Sequence, residues 1–524
     1  MKKIQLILLL VLAFTGRVAF AQTLDVEWGG ASKMGKDFRY LKIAGQDKDK
    51  YYLVRYTKTL PLEQSPVWIE SVSKTTNSIE MSYPFNAPEV FTKKTSFENL
   101  FYFDGQLIVF VSFNDVAKQR KTLYAMKIQE DGTPKSEPMI IASIPWTGVE
   151  KGFTYSLTAD QKNVLVYWSN DFSVYGGEPL NFKMINANLE LAENQQFELP
   201  FIKRKLKIER MERGKSGNYY FAISMEPEKQ RKTSARAGQE PIVSNEYLIL
   251  VWNVTKKAFQ QYPIQVEKYA VRTITFGLDD EENMIIMGFG TKRNAAAPIA
   301  VYYQKLIPRF EKFIAKTAKD FSKDRNFINE FKDPRNGTTD KERYAYQNGQ
   351  IVFLQSAGCV FLSEHYYATS RVMVEPRTKV ETLINYYNYN DIMAVNVSEE
   401  NEIGWVTKVA KKQFSTDDKG YYSSYYVTVD NNKTKLFFND NSKNVGKVPY
   451  AKIKEATFYL ATAPSETAVV ATIYADGNVD RVPLFQKTEA RLNICPAMII
   501  QKENQYYIYG QDKNEVKFGN FFFE

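Results

Sequence analysis

Short runs of about five or six aromatic and β-branched residues, separated by clusters of Asp, Asn, Gly and Lys, recur along most of the chain. This pattern predicts β-strands joined by tight turns. The strand–turn–strand unit reads IAGQDKDKYYLVRY from residue 43, LFYFDGQLIVFVSF from 100, SLTADQKNVLVYWS from 156 and RGKSGNYYFAISM from 213. It returns from 276, 343, 427 and 499. The first three intervals are 57, 56 and 57 residues, and the later ones lengthen to 63, 67, 84 and 72. A second hairpin follows most of the first ones, as in VWIESVSKTTNSIE from 67 and DIMAVNVSEENEIGW from 391.

Two hairpins per repeat make a four-stranded antiparallel sheet that can bury its faces only against its neighbours. The fold class expected is therefore all-β, a β-propeller of eight four-stranded blades, with seven as the alternative. LDVEWG (24–29) is placed to supply the fourth strand of the last blade, pairing the two ends of the chain and leaving no open edge. An outer-membrane barrel would need strands of about 9–11 residues with an unbroken apolar face. Here the runs are shorter and charges interrupt both phases.

The spacing between first and second hairpins is 24, 23 and 25 residues in the first three units, but 35, 48 and 42 in the fourth, sixth and seventh. All three insertions thus fall between strands two and three, which places them on one face of the ring. The fourth unit's insertion, about 226–241, is polar and basic and reads as a mobile loop. The sixth unit's, about 365–390, reads as an extra hairpin. One stretch breaks the strand pattern. In 308–333, Phe310, Phe313, Ile314, Thr317 and Phe321 follow helical spacing after Pro308, predicting an inserted amphipathic helix.

The first residues, MKKIQLILLLVLAFTGRVAFAQ, have a basic start, a short apolar core and the small-x-small site Ala19-Phe20-Ala21. They are expected to form a signal peptide (1–21), leaving a single propeller domain over 22–524. The core is too short to span a bilayer. Export through the inner membrane follows, to the periplasm in preference to the cell surface. Without Lys2, Lys3 and Arg17 the formal charge falls from +9 to +6, a mild excess that does not call for nucleic acid. Two cysteines, Cys359 and Cys495, form no disulfide framework, and a blade separates them, so free buried thiols are expected. One histidine, His365, and two distant cysteines leave no zinc ligand set, and no cofactor is expected.

Candidate binding chemistry concentrates at KKQFSTDDKGYYSS, the connection from the sixth blade to the seventh. Asp417 and Asp418 precede Tyr421 and Tyr422 there, and other blade-to-blade connections carry Lys93, Lys94, Trp146 and Lys151. Together they would ring the mouth of the central channel with charge and exposed aromatic faces, which suits a sugar ring or an extended peptide. The adjacent carboxylates are poorly placed for paired acid–base work, and the run lacks a D-x-D-x-D-G calcium pattern.

NEIGWVTKVAKKQFSTDDKGYYSSYYV, preceded by YYNYNDIMAVNVSEE, resembles a segment of uncharacterised exported β-propeller-like proteins of Bacteroidota. In those, a D-I-x-V strand leads to G-x-x-x-W, K-x-Q, D-D-x-G and Y-x-S elements. The matching residues are Asp391, Ile392, Trp405, Lys412, Gln413, Asp417, Asp418, Gly420, Tyr422 and Ser423. The resemblance covers about 120 residues of the C-terminal third; it implies a propeller and supplies no catalytic residues. The function expected is non-enzymatic binding of an envelope protein or glycan on the insertion-bearing face. The alternatives are a polysaccharide-active hydrolase or lyase with its site at the channel mouth, and a purely structural envelope component.

Overall fold

The computed structural model describes residues 25–33, 40–56, 67–90, 92–146, 152–158, 160–169, 179–201, 204–226, 245–292, 298–321, 346–355, 358–446, 452–458, 466–485, 492–512 and 515–523. These form eight sheets, antiparallel within the blades, in a β-propeller ring. Seven are four-stranded blades, each made from one continuous stretch of chain. Blade 1, for example, is Tyr40–Gln46, Lys50–Tyr56, Val67–Ser73 and Ile79–Phe85, in that spatial order. The eighth sheet joins the two ends. Gln505–Asp512 pairs with Glu515–Phe522, whose other edge takes Glu27–Trp28 in the register Glu27↔Asn520. Seven, the alternative count read from the sequence, is the number of four-stranded blades, and a further sheet is shared between the ends.

The core shows that the ring is closed. Eight large clusters of buried apolar side chains each lie between two sequence-adjacent sheets. Between blades 6 and 7, Val360, Leu362, Ile392 and Ala394 meet Leu436, Phe438, Val469 and Ala471. The closing sheet packs Ile494, Tyr506 and Ile508 on blade 7, and Tyr507, Tyr509 and Phe518 on Leu41, Tyr51 and Leu53 of blade 1. No sheet could hide these residues alone; each needs both neighbours.

The two faces of the ring differ. Connections between strands one and two, and three and four, are short turns apart from blade 2's longer link, 129–138. Asp104–Gly105 and Asn431–Asn432 have positive φ at both positions, the geometry of two-residue hairpins. The opposite face carries the blade-to-blade connections together with the longer links between strands two and three. It is the face on which the insertions were expected.

The inserted helix does not form within the described part of 308–333. Pro308–Phe310 is a single 3-10 turn, Glu311 follows in a left-handed conformation, and Lys312–Asp320 is the outer strand of blade 5. Over so few residues an apolar set can satisfy either period, and pairing with Pro298–Ile307 decides for the strand. Phe310 and Ile314 are exposed, while Phe313, Ala315 and Thr317 alternate towards the protein. Among the described residues there is no α-helix, and no helix long and apolar enough to cross a membrane. Residues 322–333, and 227–241 of the loop read as mobile, lie outside the described residues.

Cys359, on blade 6, and Cys495, beside the closing sheet, are free and buried. Burial pushes both thiols up to about 12. A water-soluble disulfide reagent should therefore find no thiol in the native protein and two in urea; rapid native labelling of either would contradict this packing.

Candidate functional site

Blade 6 dominates the insertion-bearing face. Its second and third strands, Cys359–Val374 and Glu381–Val397, are 16 and 17 residues long and stay paired out to Val374↔Glu381. The segment read as an extra hairpin is thus the outward extension of two blade strands, exposed from Ala368 to Leu383. At its base, Gln413–Thr416 pairs with Tyr386–Tyr389 on one side. On the other it pairs in parallel with Ala456–Phe458, from blade 7's link between strands two and three.

The Asp417–Tyr422 turn sits against this accessory sheet, with Asp417 and Lys419 exposed and Asp418 and Tyr422 turned inward. Asp417 accepts hydrogen bonds from the Asn385 backbone N–H (2.8 Å) and side-chain amide (3.2 Å), fixing the turn to the hairpin. Asp418 is buried, and its Oδ1 accepts the Gly420 N–H at 2.7 Å. Burial raises its carboxyl pKa above the usual aspartate value. Gly420 has φ +74°, and a Cβ there would strike the Tyr389 ring, so the turn requires glycine.

The tyrosines correct the expectation of exposed aromatic faces. Tyr422 is 5% exposed and donates its hydroxyl to Gln511 Oε1 of the closing sheet (2.5 Å). The Tyr421 hydroxyl accepts the Leu41 N–H of blade 1 at 2.9 Å, and the two rings meet edge to face at 4.9 Å. Asn439 of blade 7 donates to both the Tyr422 and Ile494 carbonyls and accepts the Ile494 N–H. The turn is a structural tie between blade 6, blade 7, the closing sheet and blade 1. The reason is general: a tyrosine in a turn between blades has neighbouring sheets within reach, and its ring is worth more buried than wet.

The remaining predicted residues do not join it. Lys93 lies 3.5 Å from Asp115 and over the Phe113 ring, within blade 2's surroundings. Lys94 is exposed. Trp146 is half-buried and donates its backbone N–H to the Gln119 carbonyl at 2.8 Å. Lys151 lies outside the described residues.

Beneath the accessory sheet lies a buried polar layer that sequence reasoning missed. Lys411 and Glu364, both 0% exposed at the side chain, form an ion pair of 2.6 Å. Lys411 also donates to the Tyr389 carbonyl and Gln413 Oε1, while Glu364 accepts the Ser424 hydroxyl. Arg481 pairs with Asp440, which also accepts from Asn444 at 2.7 Å, and Arg481 reaches the Ala410 carbonyl. On the other side of blade 6, Asp391 lies 3.2 Å from Lys408 and 3.7 Å from His365 Nδ1, and it accepts the Tyr346 hydroxyl. Burial pushes the Asp391 carboxyl up, but Lys408, His365 and Tyr346 outweigh it and hold the pKa below the ordinary aspartate value.

Local pattern reads Glu364, Lys408 and Lys411 as solvated positions, because it cannot see the tertiary contacts that bury them. The only available signal was the density of charge around Asp391, Lys411 and Gln413 in an otherwise apolar strand context. Chemically the layer is closed: each carboxylate already holds a cation. Among the described residues, no group of three His, Cys, Asp or Glu side chains is placed to hold a metal ion.

No family model matches the chain, and no curated protein matches it in sequence. Among solved structures it is similar to a PL25 ulvan lyase, a polysaccharide lyase (8% identity, 88% of this chain and 96% of that one, TM-score 0.38). It is also similar to the polysaccharide lyase Uly1 (7% identity, 97% and 94% covered, TM-score 0.38). A third is the β-propeller domain of the Trilobed protease from Pyrococcus furiosus (9% identity, 85% and 97% covered, TM-score 0.31).

Proposed function

We propose that this chain is an exported binding protein that presents its insertion-bearing face to an envelope macromolecule, in the periplasm. The observation that carries this reading is the asymmetry of the ring. One face carries short turns and a single longer link in blade 2, while the other bears the blade-to-blade links, the accessory sheet and the projecting hairpin. Insertions gathered on one face of a repeat array make a recognition surface on a rigid scaffold. Of the buried carboxylates beneath it, Glu364, Asp391 and Asp440 are consumed by Lys411, Lys408 and Arg481, which favours binding over acid–base catalysis.

One observation favours the enzymatic reading. His365, 14% exposed at the side chain, lies beside the carboxylate of Asp391, as a general base oriented by an acid would. On that reading the substrate is a uronate-containing polysaccharide: His365 would take the C5 proton, the C4–O glycosidic bond would break as the C4=C5 double bond forms, and the departing oxygen would take a proton from water.

The buried native thiols allow a direct test. A photo-cross-linker attached to Lys94→Cys, on the insertion-bearing face, should capture a component of envelope extract. The same probe on Thr255→Cys, in a turn of the opposite face, should capture none. Capture from residue 255 and not from 94 would reverse the face assignment. Ultraviolet absorbance growing with uronate polysaccharide, and lost in His365→Ala, would replace binding with lyase activity.

A further inference from the structure

A groove of about 1250 Å³ opens between blades 4 and 5, where their connecting segment crosses the insertion-bearing face. It exceeds the roughly 300–1,000 Å³ of pockets that enclose one small molecule, so it suits a ligand of several linked units. Gln304, on the third strand of blade 5, lines it. Its neighbours on the same side of the strand, Tyr302 and Leu306, are fully buried in the apolar cluster shared with blade 4. Gln304 is itself 2% exposed. Its amide nitrogen donates to the Gln265 carbonyl at 2.8 Å, but its Oε1 has no partner.

Arg204 lines the same groove. Its Nη2 donates to Glu246 and to the Glu226 carbonyl, while its buried Nε has no partner. The groove's lining therefore includes one unmet acceptor and one unmet donor, both closed off from solvent, and burial makes them costly unless a small side-chain shift lets a ligand complete them. Tyr247 and Tyr269 add half-buried rings to its walls, held by hydrogen bonds to the Arg272 carbonyl and to Asp320.

From this geometry we infer that the groove binds an uncharged oligosaccharide, with Gln304 and Arg204 reading its hydroxyls and the tyrosines supporting its rings. A hydroxyl both donates and accepts, so one chemical group can satisfy an acceptor such as Oε1 and a donor such as Nε–H. The lining charges largely cancel. Arg204 is paired with Glu246, Lys268 lies 4.0 Å from Glu267, and the Lys316 ammonium sits over the Phe313 ring. Nothing in this balance selects a phosphate or a polyanion. An extended peptide would instead add to the free edge of blade 4's outer strand, Ala258–Pro263, and would have no need of Gln304.

The inference rests on the binding reading above and is tested separately from it. The full exported chain is titrated with neutral gluco-, manno-, xylo- and galacto-oligosaccharides of four to six rings, and with uronate-containing ones of the same length. At least one neutral series should bind saturably. Gln304→Leu, which removes the unmet acceptor at similar volume, should weaken that binding at least tenfold while leaving the melting temperature unchanged or raised. Tyr269→Ala, at the groove wall, should weaken it as well, and this variant decides the matter if Gln304→Leu fails to fold. Silence across the neutral series, preference for the uronates, or binding indifferent to both variants overturns the assignment. Capture from residue 94 with no oligosaccharide bound would remove the groove and leave the face reading intact.

Discussion

Lys411→Met should destabilise the protein by about 3–5 kcal/mol, read as a fall in the urea midpoint. Lys411 and Glu364 are both fully enclosed, and the ammonium makes three of the hydrogen bonds that hold the layer between blades 6 and 7. Burial pulls the lysine pKa below its ordinary value even though Glu364 opposes the shift, so the pair already pays heavily for desolvation. Removing the cation leaves a buried carboxylate with the Ser424 hydroxyl beside it and no countercharge. The double variant Lys411→Met with Glu364→Leu should recover most of the loss, because an apolar pair of similar volume avoids both desolvation terms. A single variant within about 1 kcal/mol of wild type would mean that water reaches the layer and that the pair behaves as a surface bridge.

That layer also marks where the sequence stopped being legible. The repeat of strands and turns carried the propeller, the pairing of the chain's ends and the common face of the insertions, because each depends on local periodicity and connection length. Glu364 and Lys411 depend on something else. They are buried among Tyr389, Gln413, Ser424 and Phe438, groups that lie up to about 74 residues away in sequence from Glu364. No local pattern records those contacts. Tyr421 and Tyr422 failed for the same reason, since their partners Leu41 and Gln511 belong to the first blade and the closing sheet. The 308–321 segment failed differently. Phe310, Phe313, Ile314 and Thr317 fit a helical stripe, but Phe313, Ala315 and Thr317 also fit a strand face, and only the neighbouring strand Pro298–Ile307 separates the two. Gln304 was invisible because an amide between Tyr302 and Leu306 reads as a gap in an apolar face, whereas the structure places it on a groove.

Tyr422→Ala should cost roughly 3–5 kcal/mol, the usual range for deleting a buried aromatic ring. The ring packs against Tyr421 and the small cluster of Ala456 and Phe458, so its loss opens a cavity where four sheets meet. Tyr422→Phe keeps the ring and loses only the bond to Gln511, which still accepts the Tyr509 hydroxyl; its cost should be about 0.5–1.5 kcal/mol. The damage from the alanine variant should be local first. Backbone amides of 40–46 and 492–512, which the turn ties to blade 6, should exchange faster with deuterium, while those of blade 4 should not change. If the tyrosine instead offered an open face to a ligand, Tyr422→Ala would leave the melting temperature nearly unchanged and weaken binding alone. That outcome would restore the channel mouth as the binding site and displace the tie that Asn439, Leu41 and Gln511 describe.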